Sequence, residues 1–246
     1  MKERILTGAF LVALLLLITY FHNFWLIWGF LGFIYLASIH EVKKLYQLRP
    51  NVNYFLVAVL IWAVSATMDN PSHLGLIVFV TFLGTVAYKP DVERVHFFPY
   101  FYPTIPLLAI WEIYKFHDFT LLGWLVVVVA LTDTMAYFVG RTFGKRQFSP
   151  TSPKKTLEGV FGGIIFATVG GVALGIALFD YSVLQLIAFS LIVSISSIFG
   201  DLFESFLKRS AGVKDSGNIL PGHGGVLDRL DGYLLSAPLL LVLLQW

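Results

Sequence analysis

An all-α polytopic membrane protein is the fold class this sequence predicts, on three observations. Hydrophobic residues make up 57% of the 246 and charged residues only 13%, with a mean hydropathy of +0.79. Soluble domains average about 45–50% apolar and about 25% charged residues. Apolar runs near the ~20 residues that cross a hydrocarbon core recur along the whole chain. Lys and Arg gather on alternate connections between those runs, as a membrane topology requires.

Taken in order, the runs fall near 5–21, 24–39, 52–67, 73–88, 98–115, 121–139, 160–178, 182–199 and 230–246, about nine transmembrane helices. The Met1-Lys2-Glu3-Arg4 start looks like that of a signal peptide. No small-residue cleavage site follows it, so a retained first span is expected. The first two runs share almost no loop, and Pro99, Pro103 and Pro106 make the fifth irregular. Alternating the connections puts all 17 Lys and Arg residues except Lys115 on one side. Cytoplasmic connections carry the excess of these residues. The expectation is an odd number of spans, the N-terminus cytoplasmic and the C-terminus outside.

No internal repeat is evident, and residues 1–246 read as a single integral membrane domain. Helices fill 1–120, while 121–246 carries two long cytoplasmic loops, 140–159 and 200–229. Cysteine is absent, which excludes a disulfide framework, a thiolate nucleophile and a thiolate zinc site.

Asp201, Glu204, Ser205 and Lys208 are spaced i, i+3, i+4 and i+7, one face of a helix continuing from the eighth run. A solvated helix end is the plain alternative, but acids starting at the membrane boundary ask for a partner. Gly200 before them permits close backbone approach. Asp228 and Asp231 lie one turn apart ahead of the last run and can converge. With Asp201 they form an oxygen-only donor set suited to a hard cation such as Mg²⁺. N-terminal capping of that helix is the other role open to them. Between these acids, Pro221-Gly222-His223-Gly224-Gly225 permits a tight loop whose N–H groups would cradle phosphate oxygens. His223 reads as a structural or phosphate contact rather than a base. Lys208, Arg209, Lys214 and Arg229 offer phosphate-neutralising donors. Positive-inside anchoring explains their sign, though not the company of Asp215 and the other acids.

The 140–159 loop is basic and punctuated by Gly and Pro, from Gly140-Arg141 through Gly144-Lys145-Arg146 to Ser152-Pro153-Lys154-Lys155-Thr156-Leu157-Glu158-Gly159. It is not a P-loop: Gly140 and Gly144 are one residue too close, and Arg146 replaces the hydroxyl. Ser152 or Thr156 is placed to cap the next helix, and Lys154 with Lys155 suits a triphosphate or a lipid phosphate. Gly159, Gly162 and Gly163 allow close helix packing. Asp133, inside the sixth run, is an intramembrane carboxylate and hence a functional candidate, with Arg141 a possible partner. Glu112 and Lys115 read as a structural pair.

These residues resemble the phosphatidate cytidylyltransferase (CDP-diacylglycerol synthase) family. Its signature runs Ser-x-aliphatic/aromatic-Lys-Arg, four residues, Lys-Asp-x-small, then Pro/Gly-x-His-Gly-Gly-x-x-Asp-Arg-x-Asp, and it stands complete from Ser205 to Asp231. Asp133 with Ala136-Tyr137 and Gly140-Arg141, the 152–159 run, and Gly200-Asp201 with Glu204-Ser205 look like the family's other blocks. The resemblance covers the C-terminal half. It implies CTP + phosphatidate → CDP-diacylglycerol + pyrophosphate, requiring Mg²⁺, and leaves open a second, monovalent cation such as K⁺. It implies Mg²⁺ on Asp201, Asp228 and Asp231, triphosphate contacts from Lys208, Arg209, Lys214 and Arg229, and lipid phosphate on Lys154 and Lys155. A homodimer in a bacterial-type inner membrane, working at the cytoplasmic face without nucleic acid, is likewise expected. Two other readings stay open. A CTP-dependent kinase of polyprenol type would transfer the γ-phosphoryl group. An ion-coupled transporter would place its charges at the midplane in repeated halves, which this chain does not show.

Overall fold

The structure, a computed structural model, describes residues 20–21, 23–48, 52–222 and 224–245. Residues 5–19 of the expected first span, the basic residues Lys2, Arg4 and Arg49, and His223 lie outside the described residues.

The helices are α1 (Phe24–Leu45), α2 (Val52–Ser65), α3 (Leu74–Tyr88), α4 (Phe98–Phe101), α5 (Thr104–Phe143), α6 (Leu157–Leu178), α7 (Val183–Ser210) and α8 (Asp231–Leu244). Short 3₁₀ turns precede α3, α4 and α8 at Pro71–His73, Arg94–Phe97 and Leu227–Arg229. Five stretches are long and apolar enough to cross a membrane: Phe24–Leu45, Pro71–Tyr88, Phe119–Phe143, Leu157–Leu178 and Val183–Ser210. Asn53–Ser65 and Asp231–Leu244 are apolar but shorter. The chain is thus a mostly helical integral membrane protein.

Two departures from the sequence reading stand out. No turn separates the expected fifth and sixth runs, because α5 is one helix of 40 residues. The 116–120 gap left between those runs, Phe116-His117-Asp118-Phe119-Thr120, contains neither Gly nor Pro, and nothing there stops a helix once started. The fold is also not purely helical. Within the 140–159 loop, β1 (Gln147–Ser149) pairs antiparallel with β2 (Ser152–Thr156), in register Gln147 to Thr156 and Ser149 to Ser152.

The chain forms two compact units. One holds the described residues up to Glu112 together with Ser210–Leu230; the other holds Ile113–Arg209 and Asp231 onward. In the first unit, Asn23 caps α1 by accepting from Trp25 N and Leu26 N, and Lys43 and Lys44 lie in the last turn, favourable to the helix dipole. Trp28 and Trp62 each donate the indole N–H to the other's carbonyl at 3.3 and 3.1 Å, so α1 and α2 bury their aromatic faces without orphaning a donor. Trp111 donates likewise to the carbonyl of Ser65 at 3.2 Å. Glu112, buried, accepts from Ser72 N at 2.7 Å and so fixes the Pro71–His73 turn.

The second unit is built on a glycine seam. A Cβ at Gly159 would lie 2.6 Å from the carbonyl oxygen of Ala136, at Gly162 2.7 Å from Val139, and at Gly163 2.7 Å from the carbonyl oxygen of Thr132. The expected close packing of this span is therefore real, and its neighbour is α5. Farther along the seam, Trp124 donates to the carbonyl of Gly171 at 2.8 Å.

Candidate active site

In the second unit, α5, β2, α6 and α7 enclose a cavity of about 430 Å³. Its polar walls are Asp133, Tyr137 and Arg141 from α5, Ser152, Lys154, Lys155 and Thr156 from β2, and Asp201 from α7; Ala136, Val160 and Ile198 are apolar. The hairpin explains why the lysines arrive there. Glu158 accepts the N–H groups of Lys145 at 3.0 Å and Arg146 at 3.2 Å, tying the start of the loop to the start of α6. Thr156 caps α6 by accepting from Gly159 N at 3.1 Å, so of the two capping candidates it is Thr156 that serves. Gly140 and Gly159 leave room for that threonine, since a Cβ at either would lie within 3.0 Å of its hydroxyl.

Electrostatically the cavity mixes acids and cations. Lys155 forms an ion pair with Asp201. Asp133 interacts with both, and Asp231, at the start of α8, interacts with Asp133, Asp201 and Lys208. Ser205 donates to Asp201 Oδ1 at 3.3 Å, the i, i+4 contact that the spacing predicts. On the next face Glu204, fully buried, pairs with Lys208 at 3.2 Å. Arg141 donates to the Tyr137 hydroxyl at 2.9 Å. At Gly200 a side chain would overlap the carbonyl of Asp231, so α7 and α8 touch through backbone beside the acids.

The remainder of the signature, Lys214 to Arg229, belongs to the first unit. It surrounds a second cavity of about 640 Å³ lined by Lys214, Asp215, Gly217, Asn218, Leu220, Pro221, Gly222, Gly224 and Arg229. Leu220 N donates to the carbonyl of Gly224 at 3.0 Å and closes the turn, with Gly222 at φ 75° and Gly224 at φ 85°. Only glycine takes that left-handed backbone at little cost. Asp228 Oδ2 accepts from Gly225 N at 2.7 Å, Ser216 N at 2.9 Å and Ser216 Oγ at 3.0 Å. Asp228 thus holds the backbone of its own loop rather than capping the last helix, and the Gly225 N–H is taken up by it. Beneath the loop lies a residue the sequence reading passed over. Glu41 of α1 accepts from Val226 N at 3.0 Å, Leu227 N at 2.9 Å and Ser216 Oγ at 3.1 Å. Its only sequence signal is an acid two residues before Lys43-Lys44, which reads as an ordinary helix end.

The chain's family follows from comparison with known proteins. The family model described as "Cytidylyltransferase family" matches residues 2–246. The chain belongs to the cytidylyltransferase family. A phosphatidate cytidylyltransferase of Helicobacter pylori (strain J99) is 39% identical over 245 residues, covering 100% of this chain and 92% of that one. One of Bacillus subtilis is 35% identical over 264 residues, 99% of this chain and 97% of that one. One of Staphylococcus haemolyticus is 47% identical over 120 residues, 48% of this chain and 46% of that one.

Set within the cytidylyltransferase family, the predicted residues divide plainly. Asp133, Arg141, Ser152, Lys154, Lys155, Thr156 and Asp201 share one cavity; Lys214, Asp215, Gly224 and Arg229 share the other. Glu158 and Glu204 organise backbone and helix rather than line either cavity. Of the three expected metal ligands, Asp201 and Asp231 belong to one unit and Asp228 to the other. Among the described residues no group of three or more His, Cys, Asp or Glu side chains is set to hold a metal ion. Carboxylate oxygens without nitrogen or sulfur donors nonetheless suit Mg²⁺, which usually takes one or two carboxylates and completes its shell with water and substrate phosphate.

Proposed function

We propose that the protein is a phosphatidate cytidylyltransferase, joining CTP and phosphatidate to give CDP-diacylglycerol and pyrophosphate for phospholipid biosynthesis. The observation that carries this reading is the cavity in which Lys154, Lys155 and Arg141 face Asp133 and Asp201, at the ends of apolar helices. Cations at a membrane surface bind a lipid phosphate, and acids among them suit a cation shared with phosphate.

The reaction needs no protein nucleophile. An oxygen of the phosphatidate phosphate attacks the α-phosphorus of CTP, the bond from that phosphorus to the bridging oxygen breaks, and pyrophosphate leaves. The protein must align the two phosphates and neutralise charge on the leaving group. Lys154 and Lys155 would hold the lipid phosphate, their short rigid strand fixing where it sits. Lys208, Arg209, Lys214 and Arg229 would contact the triphosphate. Mg²⁺ would be held by Asp201 and Asp231, with water and substrate phosphate completing its shell, and would draw charge from the phosphate oxygens; Asp228 as a further ligand rests on the signature's spacing alone. Lys155 stands beside Asp201, so the cation that would hold phosphate adjoins an acid that would hold the metal. K⁺ as a second ion and a homodimer are proposed on family resemblance alone.

The cytoplasmic face is proposed from charge. α6 and α7 are consecutive helices, each long and apolar enough to span, so the loops before α6 and after α7 would share a side. Those loops carry Lys145, Arg146, Lys154, Lys155 and Lys214, whereas the Phe179–Ser182 connection carries neither Lys nor Arg.

Purified protein in detergent, given CTP, phosphatidate and Mg²⁺, should form CDP-lipid, and a chelator should stop it. Asp201→Asn or Asp228→Asn should lower turnover about 100-fold or more. Undiminished product with chelator or in either variant would sink the assignment.

A further inference from the structure

We infer that Glu41 is a positioning residue that holds the Lys214–Arg229 loop in its phosphate-binding form. The inference rests on the reading of that loop as a CTP contact. Glu41 is 0% exposed, four residues from the end of α1. Burial alone asks for an apolar side chain at such a position, because a carboxylate taken out of water must be repaid by donors. The Val226 and Leu227 amides supply this together with the Ser216 hydroxyl, whose one proton is shared with Asp228, and all come from the loop, as far as 186 residues along the chain.

The fit is close on both sides of the carboxylate. A Cβ at Gly217 or at Gly225 would overlap Glu41. Those two glycines therefore serve the approach of the loop to the acid rather than a turn. Ser216 Oγ then reaches Asp228 Oδ2 at 3.0 Å as well as Glu41 Oε2 at 3.1 Å. One hydroxyl thus links the α1 carboxylate to an acid of the signature. Asp228 adds the Ser216 and Gly225 amides to the same knot. Displacing Glu41 would release Val226, Leu227 and Ser216 together, and with them the backbone that sets Lys214, Asp228 and Arg229.

The chemistry separates a clamp from mere filling of space. Glutamine has nearly the volume of glutamate but offers one acceptor oxygen and an NH₂ donor. At least one loop N–H would then face another donor, leaving the loop loosened and the cavity filled. Aspartate keeps both acceptor oxygens on a shorter stem.

The test uses the full chain in detergent and reads three things: amide exchange across 214–229, KM for CTP and for phosphatidate, and thermal stability. Glu41→Gln should speed exchange at Val226 and Leu227 and raise KM for CTP about tenfold or more. KM for phosphatidate should stay within about twofold and the unfolding midpoint within a few degrees. Glu41→Asp should lie between Glu41→Gln and the parent chain. Ser216→Ala, the milder change if Glu41→Gln does not fold, should move the same readouts in the same direction. It should add little on top of Glu41→Gln, since both cut one network. Unchanged exchange at Val226 and Leu227, or a fall in stability with KM for CTP unmoved, overturns the inference. Failure of the parent chain to bind CTP overturns the nucleotide reading itself, which the Glu41 variants do not.

Discussion

Lys155 and Asp201 form the ion pair on which the lipid-phosphate assignment is most exposed. Both side chains are about a quarter accessible, so the pair itself adds little to stability. Its value lies in placing an ammonium on the cavity wall. Lys155→Met keeps the stem that packs there and removes the charge. One charge-assisted contact to phosphate lost corresponds to about a 10- to 100-fold rise in KM for phosphatidate, with KM for CTP nearly unchanged. A rise confined to CTP would assign the lysine to nucleotide instead. Such individual groups were legible where they broke a pattern: an acid inside an apolar run at Asp133, acids and cations one turn apart on 201–208. Glu41 was not, since its partners sit far off in sequence and an acid near a basic helix end excites no suspicion.

Among the elements, the apolar runs located the described helices well and their interruptions poorly. The acids and cations from Asp201 to Lys208 meet as two i, i+4 pairs on neighbouring faces of α7, Asp201 with Ser205 and Glu204 with Lys208. The β-hairpin escaped because Ser152-Pro153-Lys154-Lys155-Thr156 has little strand propensity; its strands are fixed by Glu158 and Thr156 at the base instead. The continuity of α5 escaped for the opposite reason, a gap between apolar runs being read as a break where no breaker exists. The glycine seam, by contrast, was foreseen, and it yields a prediction. Gly159→Ala sets a methyl group 2.6 Å from the Ala136 carbonyl and 3.0 Å from both Gly140 Cα and the Thr156 hydroxyl. Backbone cannot yield cheaply, so α6 must move off α5, costing about 1–3 kcal/mol. Thermal unfolding in detergent should show the loss, and KM for phosphatidate should rise because the cavity wall shifts. Unaltered stability would mean the two helices are not held at that distance.

For the molecule as a whole, orientation and chemistry are the claims at stake. The chain has no cysteine, so single cysteines report sidedness without a background. Thr151→Cys in the hairpin turn should react with an impermeant maleimide only from the cytoplasmic side, and Asp180→Cys between α6 and α7 only from outside. Reaction of both from one side would contradict the placement of α6 and α7 as consecutive spans. The chemistry turns on which phosphorus of CTP is attacked. CTP labelled separately at the α- and γ-phosphates, incubated with phosphatidate, Mg²⁺ and the purified chain, decides it most directly. The account predicts α-label in the lipid product and γ-label in pyrophosphate. Recovery of γ-label in lipid, with CDP released, would contradict nucleotidyl transfer and make the protein a kinase.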